Sequence, residues 1–530
     1  MNLGLVARIL AGYVLFFAFF ALVPLPLALL EERKPGIDAV QGFVAAAIIG
    51  AIVSVLLWLG GRSKETRGEF YRREGLAAVA FAWLVSAAVG AIPFYWSGAT
   101  PTGIDAVFEA TSGLTTTGAS VFSAGKPYYD IAELPRSLLL WRSLLHFLGG
   151  LGVILMFLVF LPAMGITGKN LLQGEQTGVS AERAAPRLRE QSQVLLRVYL
   201  IMILLQTLML RLFGMDFFEA FCHACATIGT GGFSPRSYSI GEYDSVAIEL
   251  TCTCCSFLGA TNFLLLDEFV RSRFRAPGVL LRDTEFRVFV SHLLGVVLVV
   301  SLILHMWGGS VTDVPAAGGR VHDYSSYWTC LREALFNVTT VHSSTGFATA
   351  DTSTWPHAAQ VLIMWCMYVG GCTGATAGGL KVLRLMVLAK LVAHGFRHFL
   401  RPKSIERVRV GTEVISPATI SAVLSLAILW ALCILLGTLV LLLDPRLDLL
   451  SALSANATCI GGDGPGFAGM RRLADGSHEL LSQDGIHVGA YGGFGLLHGW
   501  QKALLTLQML IGRLEIYPLI ALATPSLWRR

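Results

Sequence analysis

The chain has 530 residues, of which 54% are hydrophobic and only 14% charged, with a formal net charge of +5. Soluble domains carry roughly 25% charged residues, so this composition, with a mean hydropathy of +0.64, excludes an ordinary soluble protein and points to a polytopic membrane protein. The ten cysteines fall mostly inside or beside apolar segments, where a thiol behaves as a small hydrophobe; a disulfide framework is not expected, nor a redox or zinc site at Cys222 and Cys225.

Arg8 precedes a long apolar run without a convincing small-residue cleavage site, which reads as a retained first span. Two spans, about 5–30 and 40–60, form an N-terminal pair within 1–62. Further long apolar segments follow in twos, at 75–97 and 136–163, 193–213 and 243–270, 286–308 and 356–393, and 413–443 and 495–526. Each two enclose a short segment of about ten residues and then a small polar stretch. A short segment of that length cannot cross a bilayer, because a helix needs about 20 residues to cover roughly 30 Å. It must enter and return on one side. The expected fold class is an all-α polytopic membrane protein with about ten spanning helices and four re-entrant helices around one pore, divided into repeats at 63–190, 191–284, 285–410 and 411–530.

The polar stretches are "TSGLTTTGAS" (111–120), "ATIGTGGFS" (226–234), "VTTVHSSTGFA" (338–348) and "ATCIGGDGPGFA" (457–468). Aligned on one glycine, they give Thr116, Thr117, Gly118; Gly229, Thr230, Gly231; Ser344, Thr345, Gly346; and Gly462, Asp463, Gly464, with the last residues 113, 115 and 118 apart. Ten positions earlier stand Phe108, Phe221, Phe336 and, as the exception, Ser454.

Loops joining one repeat to the next carry twenty Lys and Arg, and the opposite loops nine. The positive-inside rule therefore places the inter-repeat loops and both termini in the cytoplasm and the polar stretches on the outer side. The net charge is explained by topology, and no nucleic-acid partner is implied.

Irregular backbone at membrane depth is tolerated only where protein or a water-filled cavity satisfies its amides. Four such stretches suggest a ring of carbonyl and hydroxyl oxygens that replaces the hydration shell of a cation, with the short helices aiming their partly negative C-terminal ends at it. A single stretch would be read as helix packing through small residues. Four in register support a conduction path.

With these features the chain resembles the potassium-translocating subunits of the Trk/Ktr/HKT superfamily, in its bacterial TrkH/TrkG branch. The resemblance covers the four repeats and the leading pair. It implies that four M1-P-M2 units in one chain imitate a tetrameric channel, that K⁺ is the transported ion, and that Gly118, Gly231, Gly346 and Gly464 each supply one filter glycine. It also implies an inner-membrane homodimer regulated by a cytosolic, nucleotide-binding RCK-type subunit like TrkA. Consistent with that, this chain has neither a GxGxxG after a strand nor a Walker A sequence, and no span carries the periodic arginines of a voltage sensor.

Two further stretches match the branch. "GGCTGATAGGLKVLR" (370–384), with Gly370, Gly371, Gly374, Gly378 and Gly379, is either a kink or the family's intramembrane gate loop beneath the filter. "IGRLEIYPL" (511–519) places Arg513 and Glu515 in the last span; the pair could neutralise itself, or Arg513 could project into the pore as an electrostatic barrier, as the resemblance implies. The fourth stretch departs from the branch pattern of Asn-Asn-apolar-Gly-Pro-Gly. Asp463 either faces away from the pore, bonding neighbouring amides, or brings a carboxylate to the filter. Two rival readings are a Na⁺-translocating or weakly selective member of the superfamily, against which Gly118 argues, and a membrane-embedded enzyme using His223 or His342.

Overall fold

The computed structural model describes residues 2–62, 72–122, 129–163, 181–272, 278–307, 323–402, 408–411, 413–472 and 478–528. Of the loop charges counted above, Lys64, Arg67, Lys126, Lys169, Arg273, Arg275, Arg320, Lys403 and Arg407 lie outside the described residues.

The N-terminal pair is α1 (Leu3–Phe20), which turns through Pro24 into α2 (Leu25–Leu30), and α3 (Ala39–Gly60). Asn2 and Asp38 cap α1 and α3 by accepting from Leu5 N and Gln41 N. Apart from Arg8 near the start of α1, both helices are dominated by apolar residues, as a membrane span requires. They approach closely because Gly50 faces Ala18 without a side chain between them. Trp141 then anchors the pair to the rest of the chain: fully buried, it donates Nε1–H to Gly90 O at 3.0 Å and receives Phe17 and Phe43 edge-on.

After the pair, one order recurs: long helix, short helix, polar turn, second helix. It appears as α4 (Arg72–Trp96), α5 (Gly103–Leu114) and α6 (Arg136–Ala163), then as α7 (Ala181–Leu212), α8 (Phe217–Ile228), α9 (Val246–Gly259) and α10 (Phe263–Arg271). The link α11 (Gly278–Arg282) leads to α12 (Thr284–Trp307), α13 (Tyr327–His342), α14 (His357–Tyr368) and α15 (Val382–Leu400). The hairpin β1 (Arg409–Val410) with β2 (Glu413–Val414) precedes α16 (Pro417–Leu441) and α17 (Leu449–Gly461). A second hairpin, β3 (Met470–Arg472) with β4 (His478–Leu480), precedes α18 (Gly499–Arg513), α19 (Tyr517–Ala523) and α20 (Pro525–Trp528).

Among the described residues six helices are long and apolar enough to cross a membrane: Leu3–Leu30, Ala39–Gly60, Glu74–Trp96, Gln193–Leu212, Thr284–Trp307 and Pro417–Leu441. They are the N-terminal pair and the first helix of each unit. The second helices all break, although the sequence suggests an interruption only in the third, at its glycine-rich stretch. α6 kinks at Gly152 (φ 32°), α9 and α10 meet at 105°, a loop separates α14 from α15, and α18 ends where Glu515 and Ile516 take φ of 55° and 67°. Hydropathy averages over such breaks, because one glycine or one left-handed residue hardly changes a 20-residue mean. Each break lies one layer below a polar turn, and that layer positions the site.

Candidate functional site

The short helices α5, α8, α13 and α17 end in one shared backbone turn. Thr116, Thr230, Ser344 and Gly462 are left-handed, with φ of 55°, 53°, 55° and 79°. The next amide in each reaches back five residues: Thr117 N to Ser112 O, Gly231 N to Ala226 O, Thr345 N to Thr340 O, and Asp463 N to Thr458 O, at 2.7–3.1 Å. A left-handed glycine follows in every case, at Gly118, Gly232, Gly346 and Gly464. Three of the left-handed turn residues are Thr or Ser, a conformation that costs an ordinary side chain about 1 kcal/mol or more and marks a constrained site.

This geometry shifts the second stretch by one residue. The glycine equivalent to Gly118, Gly346 and Gly464 is Gly232, whereas the sequence alignment selects Gly231. Two adjacent glycines permit either frame, and Phe221 ten residues before Gly231 favours the wrong one. In the structure the counterparts of Phe108 and Phe336 are Cys222 and Ser454, all fully or almost fully buried, while Phe221 is only partly so. Gly229 correspondingly sits at the position of Thr115, outside the turn.

The four turns close into a ring. A Cβ on Gly118 would collide with Gly231 O, one on Gly232 with Thr345 O, and one on Gly346 with Asp463 O; one on Gly464 would lie 3.0 Å from Thr117 O. Each glycine thus admits the carbonyl preceding the glycine of the next stretch, in cyclic order. A cavity of about 70 Å³ opens on this ring, and its lining includes Gly118, Gly232, Gly346 and Pro465, so every stretch contributes to it.

Behind the ring the four corners are filled in three ways. Thr115 Oγ1 meets Thr117 Oγ1 at 2.8 Å, and Ser343 Oγ meets Thr345 Oγ1 at 2.8 Å. The second corner has glycine at both positions, 229 and 231; the His146 ring takes the space at 231, bonded to Gly113 O at 2.8 Å and accepting from Phe233 N at 3.1 Å, while the His146 carbonyl and the Tyr199 hydroxyl lie against 229. In the fourth corner the Asp463 carboxylate folds back against Gly461, in the space a side chain there would occupy. Of the two orientations considered for Asp463, this one turns the carboxylate away from Gly346, towards which its carbonyl points. The expected amide bonds are not made: neither carboxylate oxygen has hydrogen-bond geometry with a described residue, and the Ser344 hydroxyl is its polar neighbour.

Charged pairs fix the short helices. Arg142 holds Glu109 of α5 at 2.8 Å with both side chains buried, and also donates to Ser234 O. Lys502 of α18 bonds Asp105 of α5, and Arg332 of α13 bonds Glu249. The Lys502 and Arg332 pairs and the Arg142 bond to Ser234 O link neighbouring units, and removing one partner of a pair would strand a buried charge.

The glycine-rich stretch lies directly under the helix ends. Thr376 Oγ1 donates to Ile228 O at 2.9 Å and Gly259 O at 3.1 Å, and Gly378 leaves room only for Gly461 O. Gly370 packs on Gly378 O, while left-handed Gly374 and Gly379, φ 81° and 72°, turn the loop. A kinked helix would not place thirteen residues outside helical geometry between α14 and α15, so this is a loop. Gly371 completes it by accepting from Val382 N.

Arg513 crosses the same layer. Its guanidinium donates to Thr376 O at 2.8 Å and Gly149 O at 2.6 Å, bridging the loop to α6. Self-neutralisation with Glu515 is excluded, since Glu515 pairs with Arg384 at 2.6 Å. A cavity of about 280 Å³ here is lined by Gly149, Thr376, Gly378, Gly512 and Arg513 among others. Sequence reasoning did not single out Gly232, His146, Gly149 or Thr376; the fourfold comparison of turn geometry is what finds them. Among the described residues no group of three or more His, Cys, Asp or Glu could hold a metal ion, so a cation at the ring would meet backbone and hydroxyl oxygens.

A family model described as "TrkH: Cation transport protein" matches residues 39–474. The chain belongs to the TrkH family. Among TrkH-family relatives, the Trk system potassium uptake protein TrkG of Escherichia coli K12 is 32% identical over 88% of both chains. The Trk system potassium uptake protein TrkH of the same strain is 30% identical over the whole of both. The crystal structure of the potassium transporter TrkH from Vibrio parahaemolyticus matches all of this chain with a TM-score of 0.81 and 29% identity. Membership in a family of transport proteins decides against the membrane-enzyme reading of His223 and His342. Both rings are engaged structurally, His223 with Glu219 O and Ser234, His342 with Val369 O and His292.

Proposed function

We propose that this TrkH-family chain mediates K⁺ uptake through a filter formed by Thr116 to Gly118, Thr230 to Gly232, Ser344 to Gly346 and Gly462 to Gly464. The observation that carries this reading is the closed ring in which each left-handed glycine admits the carbonyl preceding the glycine of the next stretch. Such a ring offers a dehydrated cation several carbonyl dipoles at once, offsetting a desolvation cost that for a bare ion is of order tens of kcal/mol. The potassium specificity named for the full-length relatives supports K⁺ as the ion, and Gly118, where a sodium-carrying member would have serine, supports it over Na⁺.

Below the ring, the loop at 370–381 and Arg513 form the gate. The loop stands under the helix ends, and the guanidinium places a fixed positive charge in the layer a cation must cross. Ten membrane crossings in an inner-membrane homodimer, with both termini cytoplasmic, follow from counting each broken second helix as one crossing and from the loop charges. A cytosolic nucleotide-binding subunit of the TrkA type supplies the control that this chain lacks.

K⁺ and Na⁺ flux into liposomes tests the reading. Wild type should pass K⁺ in preference to Na⁺, Gly118→Ser should erode that preference, and Arg513→Ala or deletion of 374–379 should raise K⁺ flux. Equal permeation of both ions by wild type would overturn the K⁺ assignment, and lower flux in folded gate variants would overturn the barrier.

A further inference from the structure

The residue two positions before the left-handed turn is Leu114, Ile228, His342 and Ile460 in the four stretches. Only the third is polar, and the third unit is the one whose second helix opens into the glycine loop. His342 is fully buried, yet both its ring nitrogens are engaged. Nδ1 lies 2.9 Å from Val369 O, and Nε2 lies 3.0 Å from His292 Nδ1. Trp365 Nε1 lies 3.0 Å from His292 Nε2.

The indole fixes the direction of the whole chain. Its N–H can only donate, so His292 Nε2 accepts and His292 Nδ1 carries the proton. His292 Nδ1 then donates to His342 Nε2, and His342 Nδ1 donates to Val369 O. Val369 is where α14 leaves helical geometry (φ −92°, ψ 94°), and it bridges Leu380 at the far end of the loop. At its other end His342 adjoins Ser343, whose hydroxyl bonds Thr345. Phe289 closes over the imidazole, ring centroids 4.9 Å apart.

We propose that His342, oriented by His292 and Trp365, is a positioning residue that ties the closed 370–381 loop to the third filter strand. The proposal rests on the reading of that loop as the gate. Displacing the loop must break the bond to Val369 O or pull the end of α13, so the bond favours the closed loop. The other units have apolar residues at this position and no loop to hold.

The test measures K⁺ flux of the full chain in liposomes without the regulatory subunit. His342→Leu, which installs the residue type found at 114, should raise basal flux about fivefold, the population shift that one net hydrogen bond supplies. His292→Phe should raise it in the same direction by less, and the double variant should not exceed His342→Leu, because His292 acts through His342. His342→Gln, whose amide can still donate to Val369 O, should return flux toward wild type. The K⁺ concentration for half-maximal flux should stay at its wild-type value throughout, which a general loosening of the filter would not allow. Wild-type basal flux in His292→Phe and in folded His342→Leu, or additive effects in the double variant, would overturn the proposal. If the gate variants at Arg513 and 374–379 raise flux while the histidine variants do not, the tie alone is wrong. If none raises flux, the gate reading fails with it.

Discussion

The first and fourth corners of the carbonyl ring share one backbone turn and fill the space behind it by opposite means. In the first, Thr115 and Thr117 face each other as two hydroxyls at 2.8 Å. In the fourth, Gly461 withdraws its side chain and Asp463 folds its carboxylate into the gap, with neither oxygen in a hydrogen bond to a described residue. The backbone ring is thus indifferent to what lies behind it, provided the volume is filled. The third corner repeats the first with Ser343 and Thr345, and the second substitutes His146 from another helix. The constraint common to all four is the left-handed glycine that admits its neighbour's carbonyl.

The largest effect should come from breaking that common feature. Gly346→Ala would force a methyl onto Asp463 O in a conformation that disfavours any Cβ. K⁺ flux should be abolished, while Gly103→Ala, whose Cβ would meet open space, should leave flux unchanged. Gly231→Ala separates the two frames of the second stretch. Residue 231 is not itself left-handed, and its Cβ meets a side chain, the His146 ring, at 2.5–2.6 Å. It should impair flux less than Gly232→Ala, whose Cβ meets the Thr345 carbonyl, and equal or greater impairment at 231 would restore the frame read from the sequence.

Next in size is the exchange between corners. Gly461→Thr alone places its Cβ on Asp463 Oδ2 and should lower flux about tenfold or more, the scale of an overpacked core site. Adding Asp463→Thr removes the carboxylate from that space but leaves the Cβ 2.6 Å from Met367 O, so it should recover part of the flux. The measurement is a double-mutant cycle on flux, and additive losses would show that the two positions do not fill one space. Thr115→Val, which removes one hydroxyl and keeps the shape, should cost about 1 kcal/mol of stability, readable as a lower melting temperature in detergent.

The sequence made the layout legible because apolar length and the Thr, Ser and Gly composition of the turns are local signals. The positions of α5, α8, α13 and α17 between longer helices follow from them. Gly118, Gly346 and Gly464 could be placed for the same reason, while Gly232 could not: two adjacent glycines carry no register, and the decisive φ values are a tertiary outcome. The breaks in the second helices escaped at Gly152 and Glu515 because one residue bends a helix without altering its hydropathy. Only the loop with five glycines announced itself. Arg513 was visible as a charge in an apolar run, but its partners Thr376 O and Gly149 O come from distant parts of the chain.

The smallest expected effect lies where the segment following the fourth stretch is tied to the one following the third. His487 Nε2 meets Asp351 Oδ2 at 3.2 Å, next to the segment whose Gly489, Ala490, Tyr491 and Gly492 line the cavity above the ring. Burial alone would push the His487 pKa down, but the bond and charge of Asp351 outweigh it and hold it above the usual histidine value. Burial likewise pushes Asp351 up, and His487 with the Ser353 amide brings it below the usual carboxylate value. The pair therefore stabilises above the depressed Asp351 range, keeps its full strength below the ordinary histidine pKa, and loses it as pH rises through the raised one. Thermal unfolding of wild type and His487→Gln should differ by about 1 kcal/mol near pH 6 and converge at alkaline pH. A difference that grows with pH would mean that His487 holds this segment as a neutral ring, through its volume alone.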